Sequence, residues 1–247
     1  MPIDLAAPSR LRQGLNLLAL SLVCLVLWPT VLMTPLKILV VFFHEGSHAL
    51  ATVLSGGEVI AMEIVPEQGG SVLSRGGSAV LIASSGYLGS LVIGGLLLVL
   101  AARVSFDRWI MAVLGLAMAL LTVLYVRNLY GVAFGIGGAA LAFSAARWLS
   151  HAANDLLLRL IGLTSMLYVP LDIFSDTLAR SHLRSDASIL AELLGGSSQF
   201  WGAIWLAIAL LIIPVCVWLS LRPTPSQLVK HADLSTQIDT RADKGAS

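Results

Sequence analysis

The sequence predicts an all-α polytopic membrane protein with about six to seven transmembrane helices and a short β-hairpin or re-entrant insert. Three observations predict this class. Of the 247 residues, 57% are hydrophobic and 12% are charged, whereas an average soluble domain has about 45–50% apolar and about 25% charged residues. The apolar residues are collected in runs long enough to cross a bilayer, which takes about 20 residues. A Gly-rich, β-prone segment interrupts these runs after the second one.

Net charge and cysteine content limit the partners and the kinds of site that we expect. The formal net charge is +1, which is too small to attract a nucleic acid, so the lipid bilayer is the expected partner and nucleic acid is not. Cys24 and Cys216 both lie inside apolar runs. We therefore expect two buried hydrophobic cysteines, with neither a disulfide nor a thiolate metal site.

Seven apolar runs follow one another along the chain. The first is too long for the hydrophobic part of a signal peptide, about 7–15 residues, so we expect a retained span. Lys37 is nearly the only break between the first two runs, which predicts a tight helical hairpin after Pro35. We expect a multi-pass integral protein of a plasma or inner membrane. The runs are 15–36, 38–55, 79–102, 109–126, 129–149, 156–175 and 200–221.

The segments between and beyond the runs set the domain organisation. Residues 56–78 contain two β-prone stretches around a Gly-rich turn, which predicts a hairpin or a re-entrant loop. Before the first run, residues 1–14 form an N-terminal tail. Residues 222–247 are polar and predict a flexible C-terminal tail. The membrane-embedded domain therefore covers 15–221, with a polar connection at 176–199 before the last run.

Two runs are rich in small residues. In the third run, the motif from Gly86 to Gly89 favours a close approach of this helix to the second one, for packing or for a substrate channel. In the fifth run, Gly131, Gly135 and Gly138 favour close helix packing in lipid.

The second apolar run contains His44-Glu45-Gly46-Ser47-His48. Histidines at positions i and i+4 share one helix face, so both imidazoles can bind a single Zn²⁺. Glu45 can reach a water on that metal, where a carboxylate acts as a general base. Three ionisable groups in one turn of a membrane helix are costly unless they face a protein interior or a metal. Zinc, one ion per chain, is the expected cofactor; histidines that only form hydrogen bonds are the alternative.

A catalytic zinc needs a third protein ligand. Asp172 and Asp176 lie four residues apart at the end of the sixth run, on one helix face, after Pro170. We prefer Asp172 as the third ligand because it lies deeper in the apolar run, where a buried carboxylate needs a cation. Asp176 is the alternative ligand, or orients the site from outside the metal's contacts.

These motifs give the sequence a resemblance to a known family. The His44–His48 motif, the Gly-rich insert and Asp172 in a late run resemble the site-2 protease family of intramembrane zinc peptidases. The segment 165–176 is similar to the late helix of its compact B-like branch. The resemblance covers roughly 38–180. It implies zinc held by His44, His48 and an aspartate, with Glu45 as the catalytic base.

We therefore expect an intramembrane zinc metalloprotease that hydrolyses peptide bonds in a membrane-protein or peptide substrate. The alternative is a metal-binding membrane transporter or a non-proteolytic membrane scaffold. A transporter usually places ligands along a pathway through several helices. The interiors of the third, fourth and fifth runs lack His, Asp and Glu, which favours the protease.

Overall fold

The computed structural model describes residues 10–179 and 185–222. The predicted C-terminal tail lies outside this part of the chain except for Arg222, and the predicted N-terminal tail lies outside it up to residue 9. The elements in chain order are α1 (Arg10–Leu27), α2 (Thr34–Leu54), β1 (Glu58–Val65), β2 (Gly69–Arg75), α3 (Ala79–Arg103), α4 (Asp107–Tyr125), α5 (Leu129–Trp148), α6 (His151–Phe174), α7 (Asp186–Leu194) and α8 (Ser198–Leu221).

Six segments of the described chain are long and apolar enough to cross a membrane. They confirm the predicted helical membrane class and a multi-pass integral membrane protein. The apolar helix α1 is shorter than these six. The spans are Val31–Leu54, Ala79–Arg103, Asp107–Tyr125, Leu129–Trp148, His151–Thr177 and Ser198–Leu221.

The first apolar run, 15–36, does not form one span as predicted. α1 ends at Leu27, and α2 begins at Thr34 after a turn and a short 3₁₀ segment. Pro29 explains the break, because proline disfavours the helical conformation of the preceding residue and cannot donate a helix hydrogen bond. Pro35 lies in the first turn of α2, where proline is tolerated.

The predicted tight helical hairpin after Pro35 is also wrong. Lys37 lies inside α2, since lysine is a good helix former and a charge alone does not end a helix. Helix α1 packs on α6 and α8.

The insert between α2 and α3 is an antiparallel β-hairpin, as predicted. β1 pairs with β2 from Glu58 opposite Arg75 to Val65 opposite Gly69. The outer edge of β1 is covered by the α4–α5 connection: the Arg127 amide donates to the Met62 carbonyl at 3.0 Å. β2 has no second strand beside it in the described residues. The hairpin therefore has one covered edge and one free edge.

The side chain of Asn128 also covers the outer edge of β1, because it forms two hydrogen bonds of the kind that a neighbouring strand would form. Its side-chain amide donates to the Ile64 carbonyl at 2.6 Å, and its side-chain oxygen accepts from the Ile64 amide at 3.2 Å. This pair anchors the hairpin to the membrane helices, because it satisfies backbone groups that an edge strand would leave open.

Helix α3 lies at the centre of the bundle and packs extensively on α2, α6 and α8, while α4 and α5 pair with each other. The Ser165 hydroxyl of α6 donates to the Ser90 carbonyl of α3 at 2.8 Å. Such contacts between small residues let two membrane helices approach closely. The second half of α2 is thereby enclosed by α3, the hairpin and α6.

Candidate metal centre

The two histidines of α2 point the same way. The imidazole rings of His44 and His48 lie edge to face, with centroids 4.7 Å apart, as expected for positions one turn apart on a helix. His48 is buried, and His44 is partly buried. The predicted pair is therefore brought together within the protein.

Helix α3 comes against these rings through Gly86. A Cβ atom at this position would lie 2.5 Å from His48 Nε2 and would overlap His44 Nε2. Any side chain at Gly86 would therefore occupy the space in front of both imidazole nitrogens. The predicted close approach of this motif to α2 is present, and it opens a space where a small ligand of both histidines fits.

A hydrogen bond holds the His48 ring in one orientation. His48 Nδ1 lies 2.7 Å from the Ile82 carbonyl. Because a carbonyl only accepts, the proton is on Nδ1 and the lone pair of Nε2 is free. The Ser85 hydroxyl donates to the same carbonyl at 2.7 Å. Metal-binding histidines usually have such an outer partner, which selects the tautomer that can bind the ion.

The third group at this point is Asp186, a residue that the sequence analysis missed. Its Oδ2 atom lies 3.0 Å from His44 Nε2 and 3.1 Å from His48 Nε2. The three donor atoms lie within 4.8 Å of one another. Asp186 Oδ2 is buried, and among the described residues these two imidazole nitrogens are its polar neighbours. Two imidazole nitrogens and one buried carboxylate oxygen thus converge on one position. They are the kind and the number of protein ligands that a catalytic zinc ion takes.

Helix α7 positions Asp186 at its first residue. Ser185 caps this helix: its side chain accepts from the Ser188 amide, and the Ser188 side chain accepts from the Ser185 amide. Ala187 and Leu190 are fully buried and anchor the helix on the bundle. The reciprocal Ser-x-x-Ser cap, followed by buried apolar positions, is the sequence signal that could have found this helix in the polar connection 176–199.

The carboxyl of Asp186 stays ionised at this site. Burial alone would raise its pKa, but without a metal the charge of a protonated His48 and the contacts with both imidazoles outweigh burial and hold the pKa well below its usual range. An ionised carboxylate is the form that binds a metal.

The two predicted aspartates of the α6 end lie close to this group. Asp176 accepts a hydrogen bond from the Tyr87 hydroxyl, and the ring edge of Tyr87 contacts His44 with centroids 4.7 Å apart. Asp172 lies near enough for its charge to act on His44 and Tyr87. The group with converging donor atoms contains Asp186 and neither of these two, so a ligand role for Asp172 or Asp176 stays a prediction.

Glu45 lies on the hairpin side of the same helix turn. It is 6% exposed, and it packs against Gly70 of β2, where a Cβ atom would be 2.6 Å from Glu45 Cγ and 2.8 Å from Oε1. The carboxylate thus contacts the hairpin strand with the free edge, and it is close enough to His44, His48 and Asp186 for their charges to act on it.

The comparison with known proteins agrees with this architecture. Residues 17–216 match the Peptidase M50B-like family, a range that includes all six spans except the end of the last one and every residue of the candidate metal centre. No match to a curated protein or to a solved structure accompanies it. The match confirms the resemblance to site-2 protease-like enzymes. The chain therefore belongs to the Peptidase M50B-like family of membrane metallopeptidases.

Proposed function

We propose that the protein is an intramembrane zinc metalloprotease that hydrolyses peptide bonds in membrane-protein substrates. One observation carries the proposal: His44 Nε2, His48 Nε2 and Asp186 Oδ2 converge on one point inside a membrane bundle. Glu45 follows His44 directly in the chain. In this proposal His44, His48 and an aspartate hold one zinc ion per chain. The geometry favours Asp186 as that aspartate, with Asp172 and Asp176 nearby.

Zinc in such a site supplies a Lewis acid that polarises a carbonyl and makes a water acidic near neutral pH. Glu45 takes the proton from the attacking water and passes it to the nitrogen of the leaving amine. Its burial against Gly70 keeps the carboxylate in one place and away from bulk solvent, which strengthens its interaction with that proton.

A substrate helix hides its carbonyls in its own hydrogen bonds, so the segment to be cut must be extended first. An extended segment can add to an exposed strand edge. The free edge belongs to β2, because the α4–α5 connection covers β1. β2 also carries Gly70 beside Glu45. We therefore assign substrate binding to the outer edge of β2.

The transporter alternative has less support. A path for zinc needs ligands at several depths. Helices α3 and α5 contain no His, Asp or Glu, and in α4 the one such residue is Asp107, the first of the helix. Zinc flux that persists in proteoliposomes of the Glu45→Gln variant, with no cleavage by the wild type, would favour the transporter.

Zinc content of purified variants tests the ligand set. We expect wild-type protein to hold one zinc per chain and His44→Ala, His48→Ala and Asp186→Asn to lose it. Asp176→Asn is the matched control, since the Tyr87 hydroxyl can still donate to an amide oxygen. If the Asp186→Asn protein kept its zinc and the Asp172→Asn protein lost it, the third ligand would be Asp172, as preferred from the sequence, and not Asp186.

Cleavage of a membrane substrate tests the base. Glu45→Gln keeps the size of the side chain and removes its basicity, so we expect unchanged zinc content and a rate about 10²–10⁴-fold lower. An active Glu45→Gln enzyme would rule out the proposed mechanism.

A further inference from the structure

The imidazole rings of His44 and His48 are held in place by different means. His48 Nδ1 has the hydrogen bond to the Ile82 carbonyl, whereas His44 Nδ1 makes no hydrogen bond among the described residues. The His44 ring lies instead nearly perpendicular to two other rings, those of His48 and Tyr87, at 78° and 83° and with both centroids 4.7 Å away. Metal-binding histidines usually have an outer partner that fixes the ring. For His44, the group outside the metal-ligand candidates that contacts the ring is Tyr87.

Tyr87 is itself fixed at both ends of its side chain. It is 2% exposed. Its hydroxyl donates to Asp176 Oδ2, in the helical turn Ser175–Ala179 that follows α6. Its ring packs on Trp205 of α8, with centroids 5.1 Å apart. Because the ring and the hydroxyl have separate partners, the side chain is confined to one rotamer. Tyr87 is therefore a rigid wall beside His44.

The acceptor of this hydrogen bond is fixed independently of Tyr87. Next to Asp176, the Thr177 hydroxyl donates to the Ile173 carbonyl at 2.7 Å. Thr177 also lies against α8, since a Cβ atom at Gly202 would overlap its side chain. Two helices, α6 and α8, thus hold the carboxylate, and α3 supplies the hydroxyl. Without an acceptor, a buried hydroxyl would be left unsatisfied, which is costly away from water, so the ring would shift.

We propose that Tyr87 is a positioning residue, whose ring holds the His44 imidazole in the orientation that binds the metal and whose hydrogen bond to Asp176 fixes that ring. This inference rests on the zinc site of the proposed function. A rotation of the His44 ring would turn Nε2 away from His48 Nε2 and Asp186 Oδ2, and the closely packed Tyr87 ring leaves no space for it. Asp176 then acts on the metal centre through Tyr87 and is not a ligand.

The zinc affinity of purified variants, measured by competition with a chelator, tests the proposal. Tyr87→Phe keeps the ring and removes the hydroxyl, and Asp176→Ala removes the acceptor. We expect both to bind zinc about 10- to 100-fold more weakly than the wild type. Asp176→Asn keeps an acceptor oxygen and should restore binding to near the wild-type level. Tyr130→Phe is the matched control for loss of a tyrosine hydroxyl, because Tyr130 packs on Phe134 of α5 and should bind zinc normally.

Two further measurements distinguish positioning from a general loss of stability. All affinities are compared at a temperature where thermal unfolding shows every apoprotein to be folded. The absorption bands of bound Co²⁺ report the arrangement of the ligands, so they should change in Tyr87→Phe and stay as in the wild type in Asp176→Asn. The double variant of Tyr87→Phe and Asp176→Ala should bind zinc no more weakly than Asp176→Ala alone, because both substitutions break the same bond.

Wild-type zinc affinity in Tyr87→Phe, or losses that add in the double variant, would overturn the role of Tyr87. A loss of zinc in Asp176→Asn as complete as in His44→Ala would overturn it as well, because Asp176 would then be a ligand. These results do not depend on cleavage. A wild type that holds zinc and cuts no membrane substrate would overturn the proposed protease, while the order of the zinc affinities would still decide the role of Tyr87.

Discussion

Helices α3 and α5 are both rich in glycine, and the structure uses these glycines differently. In α3, Gly86 faces the imidazoles of His44 and His48. In α5, a Cβ atom at Gly135 would overlap the Thr122 hydroxyl of α4, a residue with no role in the site. The first glycine makes room for the ligand of a metal centre, and the second lets two helices touch.

A small residue in a membrane helix therefore indicates that another helix lies close to it, but it does not indicate what the contact does. Helix association in lipid depends on such approaches throughout a bundle. The role of each contact depends on the side chains of the partner helix. Helix α2 places two imidazole rings against α3. Helix α4 places the Thr122 hydroxyl against α5, and this hydroxyl donates to the Met118 carbonyl of its own helix at 2.7 Å. Substitutions by alanine at matched glycines separate the two uses.

Gly86→Ala should have the largest effect. Its methyl group would lie in front of both imidazole nitrogens, so we expect zinc affinity to fall by at least about 10- to 100-fold, with loss of cleavage. Competition with a chelator measures the affinity. Full zinc content in a folded Gly86→Ala protein would show that the metal lies elsewhere.

Gly70→Ala should come next. The methyl group would push the Glu45 carboxylate away from β2, and a displacement of about 1 Å costs a catalytic group about 10²-fold in rate. The zinc content should stay at the wild-type level, because neither imidazole is touched. A variant with normal kcat would argue against Glu45 acting from its observed position.

Gly135→Ala should lower stability without affecting the site. Overpacking against Thr122 costs about 1–3 kcal/mol, which thermal unfolding in detergent would detect as a lower midpoint. Zinc content per folded chain should not change. Loss of zinc at a temperature where the variant remains folded would mean that α5 is coupled to the metal centre.

Gly137→Ala should have the smallest effect. It lies in the same helix, but its added Cβ would meet no atom within 4 Å, so we expect a change in unfolding free energy within about 0.5 kcal/mol. It is the control for the other three. A loss as large as that of Gly135→Ala would mean that this face of α5 packs against another molecule in the membrane.

Local features of the structure could be predicted from the sequence. The helical spans follow from the length of the apolar runs, and the hairpin follows from β-prone stretches around a Gly-rich turn. The shared orientation of His44 and His48 follows from the period of the helix alone. The break before α2 lies at Pro29 and not at Lys37, because a proline interrupts the helix hydrogen bonds and a single lysine does not.

Asp186 could not be predicted in the same way. It belongs to a helix of nine residues, too short to cross the membrane, within a connection of mixed polarity. The sequence does predict a carboxylate partner for the histidines. Asp172 and Asp176, on one face at the end of a long apolar run, match this expectation better than Asp186 in the polar connection that follows. The packing of α7 on α3 and α8, with Ala187 and Leu190 buried, brings the start of α7 to the imidazoles.

The membrane class, the hairpin and the pair of histidines with Glu45 follow from the sequence alone, because each depends on contacts within a few residues. The packing of the bundle sets which carboxylate converges on the imidazoles, which edge of the hairpin remains free, and which glycine faces the site. These features depend on segments far apart in the chain that meet only when the bundle packs. The periodicity of a helix or a strand does not predict such contacts, because they depend on how the shapes of both segments fit together.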